Sequence, residues 1–171
     1  GTVQGAGHGG SQAAIPHGPR ARPHHEGALS RGHAAFLVGG RPEIVVYDIG
    51  NPAVPGAEGR LPNTRGHDLT DLQIEDRTVV ARSNDRLHWA SLGAAELAAT
   101  EIAGLRDLAV ARGWIWVLAG NEVQVRTLAD PGAVVASQEL ALTGPKAIHT
   151  DGQRLVVWSA SRLEVLDGTR L

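Results

Sequence analysis

Two stretches of the chain decide the fold: VYDIGNPAVPGAEGRL, from Val46 to Leu61, and VRTLADPGAVVASQEL, from Val125 to Leu140. Each reads as a strand, a turn of Asn or Asp followed by Pro, and a second strand. An Asn or Asp side chain can bond the nearby backbone, and Pro fixes φ and lacks an amide donor, so the pair ends a strand. Because the second stretch repeats the first 79 positions later, the chain is built from repeated β units.

The repetition extends beyond these two stretches. From His33 onward the chain gives four units of short alternating strands separated by Gly, Asn and Asp turns. Equivalent places in the third strand of each unit are held by Ile44, Leu87, Val123 and Leu163, at spacings of 43, 36 and 40. A period near 40 with four short strands per unit is typical of β-propeller blades. We therefore predict an all-β propeller with blades at about 33–62, 67–103, 105–142 and 145–171.

The last unit stops after its third strand, and propellers close their ring to avoid open sheet edges. We therefore predict that the four recognisable blades form part of a larger ring. Another protein chain or a second copy is expected to complete it.

One segment, residues 94–113 (AAELAATEIAGLRDLAVARG), permits two interpretations. Its composition favours a helix, with apolar residues at helical spacing and Gly113 as a C-terminal cap. The repeat register predicts an outer strand at Glu96–Ala103 and an inner strand at Leu108–Ala111 instead. Agreement among four units outweighs a local propensity, so we predict strands.

The first unit resembles the LVIVD repeat of bacterial propeller proteins. In that repeat, a strand ending in Val-x-Asp is followed by Asp/Asn-Pro, a second Pro and a Gly-containing strand. The matching residues are Val46, Asp48, Asn51, Pro52, Pro55 and Gly59. The second copy keeps Asp130 and Pro131 but has Thr127 in place of the Asp. The second unit also resembles a degenerate WD40 blade, with Gly66-His67 at its front and Ala90 after Trp89 where Asp should stand.

The resemblance covers about residues 33–171. It implies a ring of blades that binds rather than catalyses, often in secreted or periplasmic proteins, and it transfers no active-site residue. A secreted or periplasmic location is therefore favoured over the cytoplasm.

Composition narrows the classes of function. The chain has 171 residues, a net charge of -2 and no cysteine. Thiolate sites and Cys nucleophiles are therefore excluded, and bulk charge does not favour nucleic acid. No run approaches the roughly 18 apolar residues of a membrane span. No acid, base and nucleophile recur together in the loops of any unit, so we predict no catalytic residues. A non-catalytic protein is therefore favoured over an enzyme.

Residues 1–32 differ from the rest, being rich in Gly, Pro, Ala, His and Arg without alternation. This composition predicts an irregular arm, because it offers too little apolar surface to offset its ordering entropy. The arm holds His17, His24 and His25, and imidazoles are ligands for Zn²⁺. A zinc-type metal site is a possible function of the arm, although its spacing matches no defined motif. A polar linker is the favoured interpretation.

Two further groups invite a functional interpretation. His67, Asp68 and Asp71 are expected to brace a blade rather than to form a catalytic dyad. Trp114 and Trp116 alternate along one strand and are expected to pack between adjacent blades, with Trp158 as their counterpart in the last unit and Trp89 as the most exposed tryptophan.

The leading functional hypothesis is a propeller module for protein–protein interaction or assembly. The first alternative is a metal-binding propeller of the bacterial cell envelope, and the second is a non-catalytic part of an enzyme complex.

Overall fold

The computed structural model describes residues 27–30, 33–37, 43–51, 53–62 and 68–169. The described residues form fifteen strands and no helix. The first and second sheets contain β1 (Gly27–Ser30), β2 (His33–Leu37), β3 (Glu43–Asp48), β4 (Gly56–Pro62), β5 (Thr70–Glu75), β6 (Thr78–Arg82), β7 (Arg86–Ser91) and β8 (Ala98–Glu101). The third and fourth contain β9 (Leu105–Ala111), β10 (Trp114–Ala119), β11 (Glu122–Thr127), β12 (Ala136–Glu139), β13 (Ala147–Thr150), β14 (Arg154–Trp158) and β15 (Leu163–Asp167).

Every sheet is an antiparallel meander in which consecutive strands pair. The turns explain why. Between β9 and β10, Arg112 and Gly113 both have positive φ, at 54° and 81°. Positive φ at both central residues matches the right-handed twist of a tight hairpin. Val, Ile and Leu then fill the strands, and strands of the middle sheets bury both faces, as the consecutive buried residues Val79, Val80 and Ala81 of β6 show.

The ambiguous segment 94–113 is strand, as the repeat register predicts. β8 and β9 occupy it, and Gly104 turns the chain between them with a φ of +72°. Helix propensity is a weak local preference, and the packing of Leu105 and Leu108 between two sheets overrides it.

The repeated stretches adopt the same turn. The Val54 amide donates to the Asn51 carbonyl at 3.0 Å, and the Ala133 amide donates to the Asp130 carbonyl at 3.3 Å. In the second copy the Thr127 hydroxyl also accepts from the Asp130 amide at 3.0 Å. The Asn/Asp turn signal therefore identified two equivalent loops.

The first sheet begins earlier than expected. The sequence offered no candidate strand in the arm of residues 1–32, yet β1 lies within it and pairs with β2 from Gly27↔Phe36 to Ser30↔His33. β1 has no β-branched residue and pairs through its backbone, so strand propensity gave no signal for it.

The four sheets stack in chain order through their first strands. β1 contacts β5, β5 contacts β9, and β9 contacts β13. Between each neighbouring pair of sheets lies one apolar cluster, so the hydrophobic core is divided into three layers.

Candidate docking surface

We call the face of each sheet that points along the stack, from the first sheet toward the fourth, its front face. The opposite face is its back face. The front face of the third sheet carries two cross-strand pairs, Trp116↔Val125 and Leu118↔Val123. All four side chains are at most 2% exposed. They pack against the back face of the fourth sheet, which supplies Ile148, Leu155 and Val157.

The front face of the fourth sheet repeats this arrangement without a cover. Its cross-strand pairs are Val156↔Val165 and Trp158↔Leu163. Trp158 is 38% exposed, Leu163 62% and Val165 55%. We call Val156, Trp158, Leu163 and Val165 the terminal face. Large apolar side chains gathered on one exposed surface mark an interaction site in a folded protein.

Within the described residues, the fourth sheet has one strand fewer than the others. The first three sheets each have a fourth strand paired to the third, whereas β13, β14 and β15 complete the described part of the last sheet. The outer edge of β15 therefore presents backbone N–H and C=O groups that no described strand pairs. Such an edge is a template for a strand from another chain.

The surroundings of the terminal face are polar. A shallow cleft of about 460 Å³ adjoins it, lined by Gln153, Arg154, Val165, Leu166, Asp167 and Thr169. Arg154 stands opposite Asp167 across β14 and β15. An apolar centre with a charged rim has the anatomy of a protein–protein interface.

Polar contacts fix the positions of neighbouring sheets and hence of the terminal face. The Glu75 carboxylate in the second sheet accepts from the backbone amides of Arg112 and Gly113 in the third, the latter at 3.0 Å. The Asp107 carboxylate in the third sheet accepts from the Ile148 amide in the fourth at 2.8 Å and from the Leu108 amide at 2.9 Å. Charged acceptors strengthen such bonds.

Asp107 and Asp71 lie close together near the start of their strands. Burial raises the pKa of Asp107 above its usual 3.8, and the charge and hydrogen bond of Asp71 act in the same direction. Asp71 also accepts from the Arg82 guanidinium. The structure thus gives Asp71 contacts to a second strand and a second sheet, as a bracing role requires. Its predicted neighbour His67 lies outside the described residues.

Arg126 holds the loop that follows β11, which contains Asp130 and Pro131, through hydrogen bonds to the loop backbone. Arg126 as a whole is 4% exposed, and its guanidinium donates to the carbonyls of Pro131 and Gly132 at 2.9 and 2.8 Å, and to the Gln124 side chain. Burial lowers the pKa of Arg126. These bonds direct the guanidinium at the loop backbone, so its role there is structural.

The sequence predicted no catalytic residues. Among the described residues, a buried Ser83–His88 pair has the residue types of a nucleophile and a base. The Ser83 hydroxyl and the His88 Nε2 are 2.9 Å apart. Both residues are buried, at 6% and 1% exposure. A substrate has no access to such a pair, so the geometry supports a structural hydrogen bond.

The predicted metal ligands His17, His24 and His25 lie outside the described residues. Within the described part of the chain, no group of three or more His, Asp or Glu side chains could hold a metal ion. No helix there is long and apolar enough to cross a membrane.

The tryptophans follow the prediction in part. Trp116 is buried between the third and fourth sheets, as expected, but Trp114 is 39% exposed. Trp89 was expected to be the most exposed, and this was wrong, because it packs against the cluster between the second and third sheets. Trp158 occupies the equivalent place to Leu118 rather than to Trp116.

Sequence reasoning missed Leu163 and Val165 as surface residues. Their alternation is that of buried strands, so nothing in the strand itself distinguishes them from Val123 and Val125, their buried counterparts in the third sheet.

Comparison with known proteins identifies the fold. No protein-family model and no curated protein sequence matches the chain. Among solved structures it is similar to apo AztD from Citrobacter koseri, with a TM-score of 0.66 and 14% identity. It is also similar to BamB from Moraxella catarrhalis, with a TM-score of 0.58 and 13% identity, and to the computationally designed Ika4 protein, with a TM-score of 0.61 and 15% identity. The fold is therefore a β-propeller, as the sequence predicted, and each sheet is a blade.

The alignments differ in how much of each protein they include. They cover 84%, 81% and 82% of this chain for AztD, BamB and Ika4. The chain spans 44% of AztD and 41% of BamB, but 88% of Ika4. Identities this low show the fold and carry no activity, and they leave the LVIVD and WD40 assignments as resemblances.

Proposed function

We propose that this chain is a propeller module for protein–protein interaction or assembly and that the terminal face is its contact surface. One observation carries the proposal. Four blades present the same apolar front face, three of these faces are covered by the next blade, and the fourth is exposed.

The free energy of burying the apolar residues is too small to hold a partner without further contacts. Fully burying a Val or Leu side chain yields about 1.5–3 kcal/mol. Because the terminal face is already partly covered, docking gains roughly 1 kcal/mol per residue, or about 4 kcal/mol for its four side chains. Association itself costs an estimated 4–15 kcal/mol. The unpaired edge of β15 and the polar rim must therefore contribute, which a partner strand or blade would allow.

A protein that works through such a surface should be found in a complex. The partner is another protein chain or a second copy that completes the propeller, and the resemblance to LVIVD proteins favours a location outside the cytoplasm. The His-rich arm and a role in an enzyme complex remain sequence hypotheses, since no described residue argues for either.

The test uses two substitutions of exposed valines in the native host. Val165→Asp places a charge on the terminal face, and Val54→Asp does the same at a loop valine of the first blade that is 72% exposed. We expect the wild type and Val54→Asp to elute from native extracts in a complex larger than one chain. Val165→Asp should elute as a single chain.

Folding of the variants is checked on the purified proteins by circular dichroism and urea denaturation. A wild-type protein that elutes from native extracts as a single chain would refute the proposal. So would a Val165→Asp variant that is folded and still assembled.

A further inference from the structure

Two aspartates meet at the junction of the second and third blades. Asp71 precedes Leu72 on β5 and Asp107 precedes Leu108 on β9, so both occupy the same place on the first strand of their blades. β5 and β9 lie against one another, and a hydrogen bond joins the two carboxyl groups. Because an ionised carboxylate only accepts hydrogen bonds, this bond requires one proton between the two groups.

Backbone amides hold the Asp107 carboxyl in place. Its Oδ1 accepts from the Leu108 amide at 2.9 Å, and its Oδ2 accepts from the Ile148 amide of the fourth blade at 2.8 Å. Each oxygen keeps a second lone-pair position, which is available to Asp71. Turning away from Asp71 would break both amide bonds, so the carboxyl is fixed beside its neighbour.

The Asp71 carboxyl is held from the other side. It accepts from the Arg82 guanidinium on β6. The backbone of Asp71 has a φ of +49° at a bulge in β5. Residues with a Cβ rarely adopt this conformation, and it persists where the surrounding structure imposes it. The bonds to Arg82 and Asp107 supply that constraint.

The other charges near the pair leave it with one positive neighbour. On β5, β9 and the strands that contact them, the remaining titratable or charged side chains are His33, Glu75, Arg82, Arg106 and His149. Arg82 bonds the pair, whereas Glu75 and Arg106 bond backbone groups elsewhere. His33 has an ion-pair partner in the first blade, and His149 is exposed. One guanidinium therefore stands beside two carboxyl groups.

The protonation of the pair changes with pH in a definite direction. Burial raises the pKa of Asp107, its two amide donors lower it, and the charge and hydrogen bond of Asp71 raise it again, with a net upward shift. Below the raised value the pair carries one negative charge beside Arg82. As the pH rises through it, the proton leaves and two carboxylates repel one another across the junction. Stability that the pair contributes at low pH is lost as the pH rises.

We propose that Asp71 and Asp107 share one proton and form a pH-sensitive clasp between the second and third blades. At low pH the clasp is closed and holds the two blades together at their first strands. At higher pH the repelling carboxylates loosen this junction. The clasp concerns contacts inside the stack, so it stands or falls independently of the terminal face and of the proposed function.

Carboxyl-carbon NMR of the purified chain, recorded as a function of pH, tests the shared proton. We expect the titration midpoint of Asp107 to fall in Asp71→Asn, because the asparagine amide donates the bond and no second charge opposes ionisation. Glu75→Gln is the matched control. Glu75 also accepts backbone amides across this junction, and its replacement should leave the Asp107 midpoint unchanged.

Hydrogen exchange at the Gly113 amide measures the opening of the junction. This amide of the third blade donates to Glu75 of the second at 3.0 Å. After correction for the intrinsic exchange rate, we expect its protection in the wild type to fall as the pH rises through the Asp107 midpoint. Protection should stay level in Asp71→Asn. Each pH unit by which Asp71→Asn lowers the midpoint corresponds to about a tenfold loss of protection in the wild type.

Three outcomes would overturn the inference. The first is an Asp107 midpoint that is the same in the wild type and in Asp71→Asn. The second is a midpoint that Glu75→Gln lowers as far as Asp71→Asn does. The third is a wild-type Gly113 protection that does not change with pH, which would leave a shared proton without a clasp. If Asp71→Asn does not fold, Asp107→Asn replaces it in the exchange experiment, and a pH dependence of Gly113 protection equal to that of the wild type overturns the clasp there.

Discussion

Val125 and Val165 form a matched pair for measuring what a cover contributes. They are the same residue type at the same place in the third strand of neighbouring blades. Val125 is 2% exposed and Val165 is 55% exposed. Replacing each by Ala removes the same two methyl groups, so the difference between the two effects reports the cover in front of Val125 together with its place on a central strand.

The magnitudes follow from the structure. At Val125, two buried methyl groups are worth about 1.6 kcal/mol of transfer free energy. A residual cavity of roughly 40 Å³ adds about 1 kcal/mol. We therefore expect Val125→Ala to lower the free energy of unfolding by about 2.5 kcal/mol. Val165→Ala should lower it by about 0.5 kcal/mol, because a half-exposed residue leaves no cavity.

Urea denaturation of the purified chain, followed by tryptophan fluorescence, measures both values, with the slope against urea as a check that the unfolded states are comparable. The expected difference is about 2 kcal/mol. Equal losses at the two positions would show that the terminal face is covered in the isolated chain, and the argument for an open docking surface would fail.

Three further predictions concern the contacts that hold the blades in place. Glu75→Gln should lower the free energy of unfolding by about 1 kcal/mol, because it weakens the charged acceptor between the second and third blades; an unchanged urea midpoint would contradict this. The pKa of Asp107 is raised by burial, so the stability it contributes is fully present below pH 3.8 and is lost as the pH rises through the raised value. The stability of Asp107→Asn relative to wild type should therefore increase from pH 3.5 to 6.5, and a decrease over that range would refute the assignment. Gly104 has a φ of +72°, and an added Cβ would lie 3.2 Å from the Gly120 amide nitrogen. Gly104→Ala should lower the melting temperature, with a loss of more than 1 kcal/mol, whereas Gly59→Ala, with open space around it, should be nearly neutral.

The open terminal face has a consequence for the isolated protein. A row of exposed Leu, Val and Trp next to an unpaired strand edge favours edge-to-edge association. A partner that covers this surface would therefore protect the chain as well as use it. The polar rim around Arg154 and Asp167 would help to set the register of that partner.

The sequence alone determined the repeat and therefore the fold. Strand alternation and the Asn/Asp-Pro turns are local properties, and their recurrence at Ile44, Leu87, Val123 and Leu163 fixed the strand order of each unit. The same recurrence resolved the segment 94–113 as strand against its helix propensity. It did not reveal β1, whose residues pair through the backbone and leave no pattern in the sequence.

Only the tertiary structure decided which of these similar faces is a surface. Val125 and Val165 have the same side chain and the same place in the repeat. Their difference in exposure depends on whether another blade lies in front of them, which is a property of the stack and not of either residue. The proximity of Asp71 and Asp107, from different blades, has the same origin. Local sequence specifies each strand, because alternation and turns act over a few residues, but burial depends on contacts between units far apart in the chain.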